Sequence, residues 1–209
     1  MQNARAKVTA MVAALQAHPH VEVLNATLGE AASEAELAEA VRLAGGRLPP
    51  GVADFYREIG SFQLDWRHTV ETIRQGDLSD HGCVNILPVR EVFGDWEGVT
   101  WFPSGDQGFR GVKPLDMFVP EACAALLRPP GEMPGDTLAF HYFGEELHDT
   151  GYTFDEYLER LLAARGYWYW ILTLCPGQEG SVEVEAFRRN MPHIFPDYDD
   201  TLFHPRPSV

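Results

Sequence analysis

A chain of 209 residues with 45% hydrophobic and 11% aromatic content can bury a substantial core, which excludes an intrinsically disordered polymer and fits one compact domain with extensions. Its 16 basic residues against 31 acidic ones give a net charge of −15, which repels nucleic-acid phosphates and anionic membranes, favours basic partners, and also serves plain solubility. The three cysteines, Cys83, Cys123 and Cys175, are too dispersed for a disulfide framework or a zinc knuckle, so a reducing, cytoplasmic setting is expected.

The segment Met1 to Lys7 is followed by an apolar patch broken by Gln16 and His18, too short and too polar for a secretion or membrane segment. Val8, Met11, Val12 and Leu15 predict a first helix that His18-Pro19 stops. Ser33 reads as an N-cap, with Glu34 and Glu36 in the first turn and Leu37, Val41 and Leu43 continuing a helix to Gly45-Gly46. Leu48-Pro49-Pro50-Gly51 then opens a short helix bearing Val52, Phe55, Tyr56 and Ile59, closed by Gly60. Phe62, Leu64 and Trp66 alternate as one face of a strand.

From Arg67 to Gly82 the pattern stays open, Val70 and Ile73 permitting a helical turn or a loop. Cys83 to Leu87 reads as a strand, Pro88 to Trp96 as an irregular or short helical connection, and Val99 to Phe102 as another strand. Gly105, Gly108 and Gly111 mark turns, Pro129 to Gly135 an exposed loop, and Thr137 to Phe143 a further strand. Thr153 with Glu156 forms a capping-box pattern ahead of Phe154, Tyr157, Leu158, Leu161 and Leu162, and Gly166 ends that helix. The aromatic run Tyr167 to Leu172 is expected to dock on the core, with one edge open to water. Val182, Ala186 and Phe187 predict a last short helix, and the proline-bearing tail from Pro192 an extended wrap.

No catalytic motif stands out. His141, Glu145, Glu146, His148 and Asp149 form the densest polar cluster, and Glu145 and His148 have the i, i+3 spacing of a helical metal site. A second such pair is missing, and Gly144 and Gly151 place the cluster in a solvated turn. His81 and Cys83 lack further ligands nearby, there is no Gly-x-Ser-x-Gly elbow, and the glycines at 105, 108 and 111 lack a phosphate-loop Lys-Ser/Thr pair. No catalytic, cofactor-binding or metal-binding residue is assigned, and the chain is read as non-enzymatic.

The Leu48-Pro49 helix with its Gly60 turn, the strand with Trp66, the segment Ile86-Leu87-Pro88-Val89-Arg90-Glu91-Val92, the Gly105-Asp106-Gln107-Gly108 turn and the closing Tyr152 to Leu158 helix occur together in that order. In this it resembles the SUKH superfamily, which groups fungal cell-wall-synthesis regulators with bacterial toxin-immunity proteins. The resemblance implies an α+β fold, a curved, mostly antiparallel sheet with helices packed at one side, over residues 34–166. Residues 1–33 would form an N-terminal helical extension and 167–209 a C-terminal aromatic and acidic extension on the same body. The chain departs from the pattern at Ile59-Gly60-Ser61, where the family often carries Asn-Gly.

The implied activity is protein binding through a groove beside the sheet: a bacterial immunity protein, monomeric or weakly dimeric, that occludes a basic toxin domain, for instance a nuclease. Candidate contact acids are Asp65, Asp77, Asp80, Asp95, Glu97, Asp106, Glu145, Glu146 and Asp149. Trp66, Trp96 and Trp101 are candidate apolar anchors, at least one of them belonging to the core. An intracellular regulatory scaffold and a metal-dependent hydrolase built on the His141 to Asp149 cluster are the alternatives.

Overall fold

In the computed structural model the described residues are 3–69, 81–105 and 107–207. The open reading around Val70 and Ile73, and the candidates Asp77, Asp80 and Asp106, lie outside them. The chain runs α1 (Ala4–Ala17), β1 (Val21–Leu28), α2 (Glu34–Leu43), α3 (Val52–Glu58), β2 (Phe62–His68), β3 (His81–Ile86), α4 (Val89–Val92), β4 (Val112–Val119), β5 (Ala122–Leu127), β6 (Thr137–Tyr142), β7 (Glu146–Thr153), α5 (Phe154–Ala164) and α6 (Val182–Ile194). The strands form one curved, open, antiparallel seven-stranded sheet whose spatial order is the chain order, so the class is α+β as expected. Among the described residues no helix is long and apolar enough to cross a membrane.

Local chemistry accounts for most element ends. α1 buries Ala4, Val8, Met11, Val12 and Leu15 and stops at His18, the residue before Pro19, where the helical region is sterically disfavoured. At the start of α2 the Ser33 hydroxyl accepts from Glu36 N (3.2 Å) while the Glu36 carboxylate accepts from Ser33 N (2.9 Å). At α5 the Glu156 carboxylate accepts from both the amide (2.9 Å) and hydroxyl (2.8 Å) of Thr153.

The structure corrects several expectations. β1 stands where no strand was predicted and pairs along β2 from Val21↔His68 to Leu28↔Phe62. The hairpin of β4 and β5 occupies the stretch between Gly111 and Pro129 that carried no assignment. Val99 to Phe102 is no strand: Val99 N and Thr100 N both bond to Trp96 O and Gly98 N to Trp101 O, coiling the segment into a tight turn. Glu146 to Asp149 belong to β7 rather than to a turn, because the reversal is completed by Phe143, Gly144 and Glu145. α6 continues through Pro192 to Ile194; the proline sits in the last turn, and burial of Met191 and Ile194 outweighs the lost backbone bond.

The main core fills one sheet face and takes in α1, α2, α3, α5, α6 and the aromatic segment after α5. A smaller cluster of Trp101, Phe109, Val112, Cys123 and Ala125 sits on the other face of β4 and β5. Those two strands are therefore covered on both sides, whereas β2 alternates buried and exposed residues along its length.

The sheet parts between β3 and β4. Only Ile86↔Asp116 remains in register there, with Leu87 N bonded to Leu115 O beside it. Beyond that point Asn85 N donates to the Asp116 carboxylate (2.7 Å), and the segment after α5 replaces β4 against β3. Cys83 N donates to Gly166 O (2.8 Å) and Trp168 N to His81 O (3.1 Å). The fully buried Trp66 indole anchors the same segment by donating to Arg165 O (2.7 Å). The other Asp116 oxygen accepts from Tyr157 Oη (2.8 Å), so this wholly buried carboxylate joins β3, β4 and α5.

Candidate functional site

The β6–β7 hairpin, the β4–β5 turn and the segment after α5 enclose a cleft of about 430 Å³. Tight reversal at Gly144 places Glu145 at the hairpin tip, and the register pair Tyr142↔Glu146 puts the next carboxylate at its mouth. Phe143 N donates to Glu121 O (2.9 Å), which ties the β4–β5 turn to the hairpin. From the other side come Trp168 and Tyr169, Gln178, and Glu183 in the first turn of α6.

Tyr169 is the hinge of this arrangement. Its backbone is left-handed (φ 51), its ring meets Phe118 and Phe140, and its hydroxyl donates to Glu121 Oε1 (3.1 Å). Burial, and then the adjacent Glu121 carboxylate, push that hydroxyl well above the ordinary tyrosine range. His148 stacks on Phe140, and its Nε2 lies 3.0 Å from Glu146 Oε2 and 3.3 Å from Gln178 Nε2. Four carboxylates, Glu121, Glu145, Glu146 and Glu183, thus line one cleft, and among the described residues its wall holds no lysine or arginine. The site is arranged to receive a cationic group, with Trp168 and Tyr142 available for its apolar stem.

The other candidates lie elsewhere. Asp65 stands in a shallower groove of about 370 Å³ at the parting of β3 and β4, beside Asn25, Gln63 and Asn85. The Cys83 thiol in that groove is pushed up to about 12, by burial before the nearby carboxylates, which leaves little thiolate for nucleophilic chemistry. Trp66 has no exposed surface and cannot be a partner anchor. Trp101 is buried in the second cluster, and half-buried Trp96 donates its indole proton to Val92 O (3.1 Å). Asp95 accepts from Glu97 N (3.0 Å) at the far end of the β4–β5 hairpin. Asp149 accepts from Gly151 N (2.8 Å) on β7 and does not line the cleft.

The polar cluster from His141 to Asp149 is split between the sheet faces. His141 is fully buried against Phe109, with Nδ1 2.8 Å from Glu146 O and Nε2 3.2 Å from Thr100 O. Burial holds its pKa below the ordinary histidine value in spite of those carbonyls. Among the described residues no group of three or more His, Cys, Asp and Glu side chains is placed to hold a metal.

Glu145 and Glu146 are brought into the cleft as candidates; Glu121, Glu183, Tyr169 and Gln178 were missed. The aromatic run from Tyr167 was the available signal: Tyr169 docks, and half-buried Trp168 is its wet edge. Comparison with known proteins returned no match: no family model, no curated protein and no solved structure aligns significantly with this chain.

Proposed function

We propose that the chain is a non-catalytic protein-binding domain of SUKH-like type, a bacterial immunity protein that neutralises a basic toxin domain by occlusion. The observation that carries this reading is the cleft in which Glu121, Glu145, Glu146 and Glu183 meet aromatic walls, with no lysine or arginine among the described residues that line it. A toxin that grips phosphates, such as a nuclease, needs a basic active-site surface. One of its lysines or arginines would enter the cleft, its stem along Trp168 and its charge among the carboxylates. The net charge of −15 supports fast, salt-sensitive association with such a partner.

The test pairs co-expression with binding. The protein is expected to rescue cells from one toxin and from no unrelated toxin. Glu146→Lys combined with Glu183→Lys should slow association with that toxin at least about tenfold in low salt, and less in high salt. Rescue that survives the double reversal, or binding indifferent to salt, would remove the cleft from the mechanism. Loose association with several host proteins would favour the regulatory scaffold instead.

A further inference from the structure

A second cavity, of about 450 Å³, lies at the opposite end of the β4–β5 hairpin from the acidic cleft, and its wall carries Arg110, Lys113 and Arg128. In a protein with 31 acidic residues against 16 basic ones, three cations converging on one cavity run against the general balance. Among the described residues their hydrogen-bond and ring partners are neutral. Lys113, only 9% exposed, donates to Gly94 O (2.8 Å); Arg128 Nε donates to Ala44 O (2.9 Å); and Arg110 lies over the Trp101 ring, 5.1 Å from its centre.

Gly45 (φ +89) leaves room for the Arg128 guanidinium, since a Cβ there would stand 3.0 Å from its Nη2. Backbone carbonyls thus fix two of the cations, each through one donor, where an ammonium has three donors and a guanidinium five. Asp95 and Glu97 form the remaining polar wall, with Phe93 as an apolar one. Lys113 is disfavoured as an ammonium by burial and next by Arg128, with Asp95 pulling the other way.

We propose that this cavity binds a small sugar-phosphate-like molecule, its phosphate seated among Arg110, Lys113 and Arg128 and its hydroxyls donating to Asp95 and Glu97. Guanidinium groups match phosphate oxygens in pairs, a lysine adds a point charge, and carboxylates are the natural acceptors for vicinal hydroxyls. The volume lies within the range of small-ligand sites. The site is separate from the acidic cleft, and its failure would leave the toxin-binding reading standing.

Calorimetric titration of the full chain with ribose 5-phosphate, inorganic phosphate and ribose tests it. Saturable binding of ribose 5-phosphate, at least about tenfold weaker binding of inorganic phosphate, and none of ribose is the expected order. Arg110→Ala and Lys113→Met should each weaken ribose 5-phosphate about tenfold, a loss typical of one charged hydrogen-bonding partner. Arg110 is exposed, so that variant tests the site without risk to the fold. No saturable binding at millimolar ribose 5-phosphate, or affinity unchanged in Arg110→Ala, would overturn the proposal. Inorganic phosphate binding as tightly as ribose 5-phosphate would overturn the role given to Asp95 and Glu97.

Discussion

Asp116 shows how much one residue can do that no pattern announces. Its side chain ties Asn85 N and Tyr157 Oη together where β3 and β4 part, and it does so without solvent. Burial outweighs those two donors and raises its pKa from 3.8 to about 6. A carboxyl raised on folding contributes stability in full below its unfolded value and loses it as pH rises through the folded one. For Asp116 that window is pH 3.8 to about 6. The shift corresponds to about 3 kcal/mol, an order-of-magnitude figure. His141 has the opposite sign: its lowered pKa gives stability that is present above the ordinary histidine value and lost on acidification. Asp116→Asn isolates the first effect, since an amide still accepts from Asn85 N and donates to Tyr157 Oη. Denaturant melts from pH 4 to pH 7 should show the variant gaining on the parent by up to about 3 kcal/mol as pH rises. A difference flat across that range would refute the account. An Asp between Leu115 and Met117 looks in sequence like an exposed strand position, which is why it was invisible.

Elements were legible where their sequence reports a single buried face. β2 alternates, so Phe62, Leu64 and Trp66 announced it; α5 carries its capping pattern and a full apolar stripe. β5, with the sequence Ala-Cys-Ala-Ala-Leu-Leu, is covered on both sides by small residues and shows neither period. Proline at position 114 further disguised β4, which keeps it at an irregularity in the pairing with β5. β7 was hidden because Glu146, His148 and Asp149 are polar on an edge strand of the sheet. The contact of β3 with the segment after α5 permits a sharper test. A methyl group added at Gly82 would overlap the Trp66 indole nitrogen that holds Arg165 O. Gly82→Ala should therefore cost about 1–3 kcal/mol in equilibrium unfolding and quench or shift the Trp66 fluorescence. An unchanged midpoint would mean that the indole does not pack there.

At the scale of the molecule the sequence supplied the sum of charges but not their placement. Acidic groups gather at the start of β5 and basic ones at the end of β4 nearest α2, roughly 25 Å apart by the rise of eight strand residues. That separation arises from hairpin pairing, which no count of residues contains. The candidate acids were correspondingly half legible: Glu145 and Glu146 meet at the cleft, while Asp65 and Asp95 serve other surfaces. The chain-ordered sheet has a final consequence for biosynthesis. Each strand pairs with its sequence neighbour, so β1, β2 and β3 can assemble while the rest is still being translated. The β3 edge, however, is sealed by Gly166 and Trp168, residues that leave the ribosome long after it. A nascent chain therefore carries an open strand edge until Trp168 has emerged, the stage at which unpaired backbone recruits wrong partners. A chain ended at Ala164 should stay in that state, binding a hydrophobic dye and aggregating, whereas the full chain should not; a soluble, cooperatively melting truncation would show the edge to be harmless.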